Sequence, residues 1–522
     1  MVFPLDLSES TKNIAQHLLD TSKEYPRVDC HTHVQGDLFN FTQETASKNL
    51  IGSQAAGFHQ YPDDVIEKSV QSGRLVRRTM IDAVPGYSWF AQLALSGGLD
   101  FDSVTHLGRK DMGRAILTAL APSKFSERAG WLRNMFSRYD GVKSQGTDFD
   151  PLEPDNFDIV YDAIFAQRND PLFADNILEE DGIVALVTSL ENASHAPRKL
   201  EPGKEAEMLK SIDLSVGLHP EIYHMLDAHY ITGPEKATDL GPYFLGCKYQ
   251  TENYLLNIEN RLGAAIYNSD SLRKAVKDWV HGVIKSPSNP DSRVLYVNAF
   301  QPIDRRLNTN VTDSEVNSII KNHKDHLDES QLMAVSSHAT RAMLEALNEI
   351  GAELKKENGI GVCFQTALGV DYFIDPDREI TAFKAYQPRI PRDEEPIWRK
   401  YQNIVFEYLV ADEKLLEDFM DAAKQVPNVI VGSWWQNFGS RSIAYMVQSM
   451  AWEGGLDNFA GGISDGRYLE MLGAKGESVR NGLAAGLAQC VSQGRLPLKS
   501  AQNYMKDLLY TNPARIHNIP LG

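Results

Sequence analysis

Six short, mostly apolar segments and one strand-like lead-in ending in His-x-His, separated by helical patterns, leave this chain few folds to choose from. They cover residues 28–33 (VDCHTH), 182–188 (GIVALVT), 293–300 (RVLYVNAF), 359–365 (GIGVCFQ), 403–409 (NIVFEYL), 428–433 (NVIVGS) and 459–465 (FAGGISD). Strands apolar on both faces belong to a parallel sheet covered by helices on each side. One intervening helix is plain over 340–356, where Met343, Leu344, Leu347, Ile350 and Leu354 recur at three- and four-residue spacing. Another is expected over 415–424. Residues 75–84 (LVRRTMIDAV) are the candidate eighth strand. The expected fold is therefore α/β, a (β/α)₈ TIM-like barrel. A doubly wound open sheet is the rival, but no glycine-rich phosphate loop follows the first strand.

The spacing of these strands is uneven. Residues 37–180 and 200–290 read as helical insertions, with helices expected near 107–120, 155–165, 204–212 and 271–284. Nothing resembling a linker, repeat or low-complexity segment divides the chain, so residues 1–522 are taken as one domain. A formal charge of −18 argues against nucleic-acid or anionic-membrane partners. Cys30, Cys247, Cys363 and Cys490 form no C-x-x-C pair, which suits buried thiols in a reducing compartment. With no basic, apolar leader at Met1 and no long apolar run, a cytoplasmic protein is expected.

Barrel enzymes do their chemistry at the C-terminal ends of strands. The first strand ends in Asp29-x-His31-x-His33, and side chains two apart on a strand point the same way. The last strand ends in Asp465. Alone, Asp465 reads as a helix N-cap. In a closed barrel the first and last strands are neighbours, and two imidazoles and a carboxylate then converge on one divalent metal. Zinc is the default for these donors; manganese or iron fits them too.

At these residues the chain resembles the amidohydrolase superfamily and, within it, the uronate (glucuronate) isomerases. The likeness is carried by PRVDCHTH at 26–33, NVIVGSWW at 428–435 and FAGGISDGR at 459–467, followed by NPAR at 512–515. The resemblance implies a one-metal aldose–ketose isomerase acting on a uronic acid through an enediol. His31, His33 and Asp465 would be the metal ligands, with Asp465 also the general base. Arg467 would hold the substrate carboxylate, and Trp434 and Trp435 would face the sugar ring. His59 and Tyr61, in GFHQY at 57–61, match a family His-Tyr element suited to acid–base work.

Three departures stand beside this likeness. Gln365 or Thr366 occupies the place of the histidine that many superfamily members carry after the fifth strand. TSLEN at 188–192 replaces a Thr-Thr-Asp-Asp-Pro run. QPID at 301–304 replaces Arg-Pro-Asp, exchanging an arginine for Gln301. Gln365 and Gln301 are accordingly expected to contact substrate. The same metal triad would also serve a mononuclear hydrolase or decarboxylase, the alternative reading. A non-catalytic barrel fits less well with His31, His33, Asp465 and Arg467 present together. The expected partner is a small sugar acid, and a homo-oligomer is compatible with the sequence.

Overall fold

The computed structural model describes residues 6–32, 97–98, 109–167, 172–189, 221–227, 254–284, 294–297, 311–323, 326–358, 362–368, 397–410, 413–433, 439–452, 454–461, 463–464, 466, 469–517 and 519. Among these, eight strands form one sheet: β1 (Arg27–Thr32), β2 (Ile183–Ser189), β3 (Glu221–Asp227), β4 (Val294–Val297), β5 (Val362–Leu368), β6 (Ile404–Val410), β7 (Val429–Ser433) and β8 (Phe459–Ala460). They lie side by side in chain order, and each neighbouring pair is parallel. All of β1 and nearly all of β6 is buried, as expected of strands covered on both faces.

The expected segments and the strands agree except at one. β3 lies inside 200–290, a stretch expected to be a helical insertion, and fills the place between β2 and β4. Its sequence, EIYHMLD, interleaves charged and polar residues with apolar ones, so it lacks the continuous apolar run of its neighbours. The alternative eighth strand at 75–84 and the helix at 204–212 lie outside the described residues. β1 and β2 pair directly, with no strand between them.

The expected helix at 340–356 is the last part of a 30-residue helix, Glu329–Asn358. Its start is fixed by a reciprocal cap. The Gln331 N–H donates to Asp328 Oδ1 (2.8 Å), and the Asp328 N–H donates to Gln331 Oε1 (3.0 Å). Glu413–Gln425 covers the expected 415–424 helix, and Ser269–Ile284 covers the one near 271–284. Arg109–Leu120 and Phe157–Gln167 are the helices expected near 107–120 and 155–165.

The first long insertion docks on the Leu469–Ser492 helix. Trp131 Nε1 donates to Ser478 Oγ (2.6 Å), which donates to Glu127 Oε1 (3.0 Å). Arg138 grips Asp181 through two bonds of 2.9 and 3.0 Å just ahead of β2. Just beyond the two-residue β8 the backbone passes close to the C-terminal region: a Cβ on Gly461 would stand 2.3 Å from the Leu508 carbonyl oxygen, so only glycine fits there. No helix among the described residues is long and apolar enough to cross a membrane.

Candidate functional site

β1, RVDCHT, is buried along its whole length although only Val28 and Cys30 are apolar, and Arg27, Asp29 and His31 are all at 0% exposure. Charged groups are almost never fully buried unless paired, so each needs a partner. The His31 partner is on β5. His31 Nδ1 lies 2.7 Å from Gln365 Oε1. An amide oxygen only accepts, so Nδ1 carries a proton, which leaves Nε2 as the nitrogen able to ligate a metal.

The other end of the Gln365 amide is also engaged. Its Nε2 donates to the Cys30 carbonyl (3.1 Å) and to Glu407 Oε2 (2.8 Å) on β6. Gln365 and Glu407 are register partners in adjacent parallel strands, which puts their side chains on one face. With both amide hydrogens and its oxygen used inside the protein, Gln365 is committed to holding His31 and Glu407.

Glu407 is itself fully buried, and its Oε2 lies 3.2 Å from His517 Nε2 in the Asn512–His517 helix. The Cys363 thiol donates to the same oxygen (3.5 Å). Burial would raise the Glu407 carboxyl, but His517 and the Gln365 hydrogen bond outweigh it and hold it below the usual glutamate value. Burial, then the nearby Glu407 charge, pushes the Cys30 and Cys363 thiols well up. Cys30, Cys363 and Cys490 are free, buried thiols, as the cysteine pattern implied.

A second set of contacts ties β1 to the segment after β8. The Ser464 N–H donates to Asp29 Oδ1 (3.0 Å). Thr32 and Gly466 form an isolated parallel bridge. Arg27 Nη2 donates to the Leu472 carbonyl (3.0 Å), and Nη1 lies 3.7 Å from Asp29 Oδ2. Burial pushes the Asp29 carboxyl up, against the pull of Arg27 and the Ser464 bond. Room for the Arg27 head comes from Gly476, where a Cβ would stand 2.5 Å from Arg27 Cζ. Lys475, also buried, donates to the Ser464 carbonyl. Ser464 is thus held through both its N–H and its C=O, and it directly precedes Asp465 in the chain.

Glu470, in the first turn of the helix that follows, is buried and accepts from the Tyr139 hydroxyl. Burial pushes its carboxyl up to about 8, against opposing pulls from Tyr139 and Arg138. A glutamate raised in the folded state binds its proton more tightly there than in the unfolded chain. Its contribution to stability is therefore full at and below about pH 4.5 and is lost as pH rises through about 8. Glu470→Gln keeps an acceptor for Tyr139 and removes the titration. Above pH about 8 the variant is expected to be more stable than the parent by on the order of a few kcal/mol, with the gap closing in acid. Calorimetric melting across this range checks it; parallel pH profiles for the two proteins would count against a raised Glu470.

Of the residues marked in the sequence, the structure brings His31 and Gln365 together and assigns Gln365 contacts with protein groups. Thr366 is on β5. His33, His59, Tyr61, Gln301, Trp434, Trp435, Asp465 and Arg467 lie outside the described residues. Glu407, His517, Ser464 and Lys475 were not marked. Glu407 had a signal, a lone acid inside the apolar run IVFEYLV. His517 had none, since a histidine in a C-terminal helix is unremarkable by itself.

An all-parallel α/β sheet with strands in chain order, polar side chains buried on its strands and its last strand tied back to its first, defines the class. No family model matches the chain. It is 30% identical to the uronate isomerase of Thermotoga petrophila over 105 residues, 20% of this chain. The match thus spans only 23% of the curated relative's length. Solved structures resemble it over nearly the whole chain. The glucuronate isomerase of Caulobacter crescentus has a TM-score of 0.66 at 14% identity, covering 100% of this chain and 96% of that one. The uronate isomerase of Thermotoga maritima has a TM-score of 0.63 at 14% identity, covering 98% and 100%. The chain thus shares its fold with these uronate isomerase structures.

Proposed function

We propose that this chain is an enzyme of the uronate isomerase type, interconverting the aldose and ketose forms of a uronic acid through an enediol. The observation that carries the reading is the His31–Gln365 bond, which sets the imidazole in the tautomer a metal requires. The Thr32–Gly466 bridge and the Asp29–Ser464 bond support closure of the sheet into a (β/α)₈ barrel with Asp465 beside β1.

His31, His33 and Asp465 would hold one divalent ion, with zinc the first candidate. The donor set fits: a buried imidazole oriented by an amide is what a metal-binding histidine needs. When bound, the ion would supply Lewis acidity at the sugar's reacting oxygens and stabilise the enediolate charge. Asp465 would carry a proton between the two adjacent carbons. Arg467 would pair with the carboxylate, and Trp434 and Trp435 would offer apolar faces to the ring. His59 and Tyr61 would serve proton transfer at the sugar oxygens. Gln365, by its bonds, is reassigned from substrate contact to positioning His31.

Proton NMR of the metal-replete protein in D₂O, with D-glucuronate and D-galacturonate, tests this directly. A keturonate is expected, and deuterium at the transfer carbon would mark a base that exchanges with solvent. Silence on both sugars with metal bound would overturn the isomerase reading and favour hydrolysis or decarboxylation.

A further inference from the structure

Behind the His31–Gln365 pair lies a second group of ligand-type side chains. Cys30 Sγ, a Glu407 carboxylate oxygen and a His517 ring nitrogen all lie within 4.8 Å of one another, and all three residues are buried. We propose that Cys30, Glu407 and His517 form a structural site for a thiophilic divalent cation such as zinc, separate from the site built on His31, His33 and Asp465. The inference goes beyond the isomerase reading and does not depend on it.

Three observations carry it. His517 Nε2 and Glu407 Oε2 are 3.2 Å apart, and among the described residues neither His517 nitrogen has a hydrogen-bond partner. Two ligands of one tetrahedral zinc, with bonds of about 2.0–2.1 Å, stand about 3.3 Å apart, which is the spacing seen. With all three atoms within 4.8 Å of one another, the sulfur needs to approach by at most about 1.2 Å to complete an edge of about 3.6 Å.

Next, Glu407 Oε1 has no hydrogen-bond partner among the described residues, while Oε2 is oriented by Gln365 Nε2 and the Cys363 thiol. Outer hydrogen bonds of this kind fix ligating carboxylates. Finally, the charges close. A thiolate, a carboxylate and a neutral imidazole neutralise a divalent ion, which a fully buried pocket requires. Coordination converts the Cys30 thiol to thiolate and releases its proton to solvent. The ion would join β1, β6 and the Asn512–His517 helix through side chains far apart in the sequence.

The test uses the full-length chain. X-ray absorption at the zinc edge of the zinc-loaded parent is expected to contain a sulfur scatterer at about 2.3 Å. The Co(II)-substituted parent is expected to have a thiolate-to-cobalt charge-transfer band. That band should persist in Asp465→Asn, disappear in Cys30→Ser, and require a higher cobalt concentration in His517→Gln. A zinc edge with nitrogen and oxygen scatterers alone, or a band unchanged in Cys30→Ser, would overturn the proposal. The edge measurement needs no variant, so it stands even if Cys30→Ser fails to fold. Neither readout involves turnover, so a chain inactive on uronates can still support the site.

Discussion

His31→Ala is expected to reduce keturonate formation to background, and Asp465→Asn to do the same. His31 belongs to the proposed metal triad, and its ring is preset by Gln365. The more discriminating variant is Gln365→Leu. It leaves the His31 N–H, the Cys30 carbonyl and Glu407 Oε2 without the partner each now has. Loss of such an outer partner costs about 10- to 100-fold in metal affinity or activity. If Gln365 orients His31, metal content and kcat should fall together while KM for the uronate changes little. If it contacts substrate instead, KM should rise with metal content intact. Metal analysis alongside steady-state kinetics separates the two. Full activity in His31→Ala would end the metal-site reading.

The second large effect is expected at Asp29. Asp29→Ala removes the acceptor for the Ser464 N–H and the only acid within ion-pair range of buried Arg27 among the described residues. Leaving a buried charge uncompensated costs about 3–5 kcal/mol. Chemical denaturation should register that loss. Asp29→Asn keeps an oxygen for Ser464 and removes the charge, so the two variants together apportion the effect between the hydrogen bond and the ion pair. Replacing Arg27 and Asp29 together by apolar residues of similar volume should recover much of the loss, since a buried pair is seldom a net source of stability. An Asp29→Ala variant as stable as the parent would mean that Ser464 and Arg27 find other partners.

The strands with unbroken apolar runs could be read from the sequence because burial on both faces demands such runs. β3 escaped because its charged and polar residues interrupt that pattern. The Glu329–Asn358 helix was legible from Met343 onward, where the apolar stripe is regular. Its beginning depended on the Asp328–Gln331 cap, whose short sequence signature went unmarked. His31 was legible because His-x-His carries its chemistry in its spacing. Glu407 and His517 were not, because their meeting depends on contacts across 110 residues of chain that no local pattern encodes. Gln365 was legible as a site residue from the absence of a histidine there, but its bonds to His31, the Cys30 carbonyl and Glu407 were not, because they join strands distant in the sequence.

The Asp29–Ser464 bond joins residues 435 positions apart. Synthesis runs from the N-terminus, so β1 emerges long before the segment that completes its surroundings. Until then the growing chain carries an unmatched strand edge bearing Arg27, Asp29 and His31, whose polar groups have yet to meet their partners from β5 and the region after β8. Such an edge invites the wrong strand, and contacts of this sequence separation form slowly. Charged side chains on β1 make mispairing with another apolar strand costly while the ribosome finishes its work.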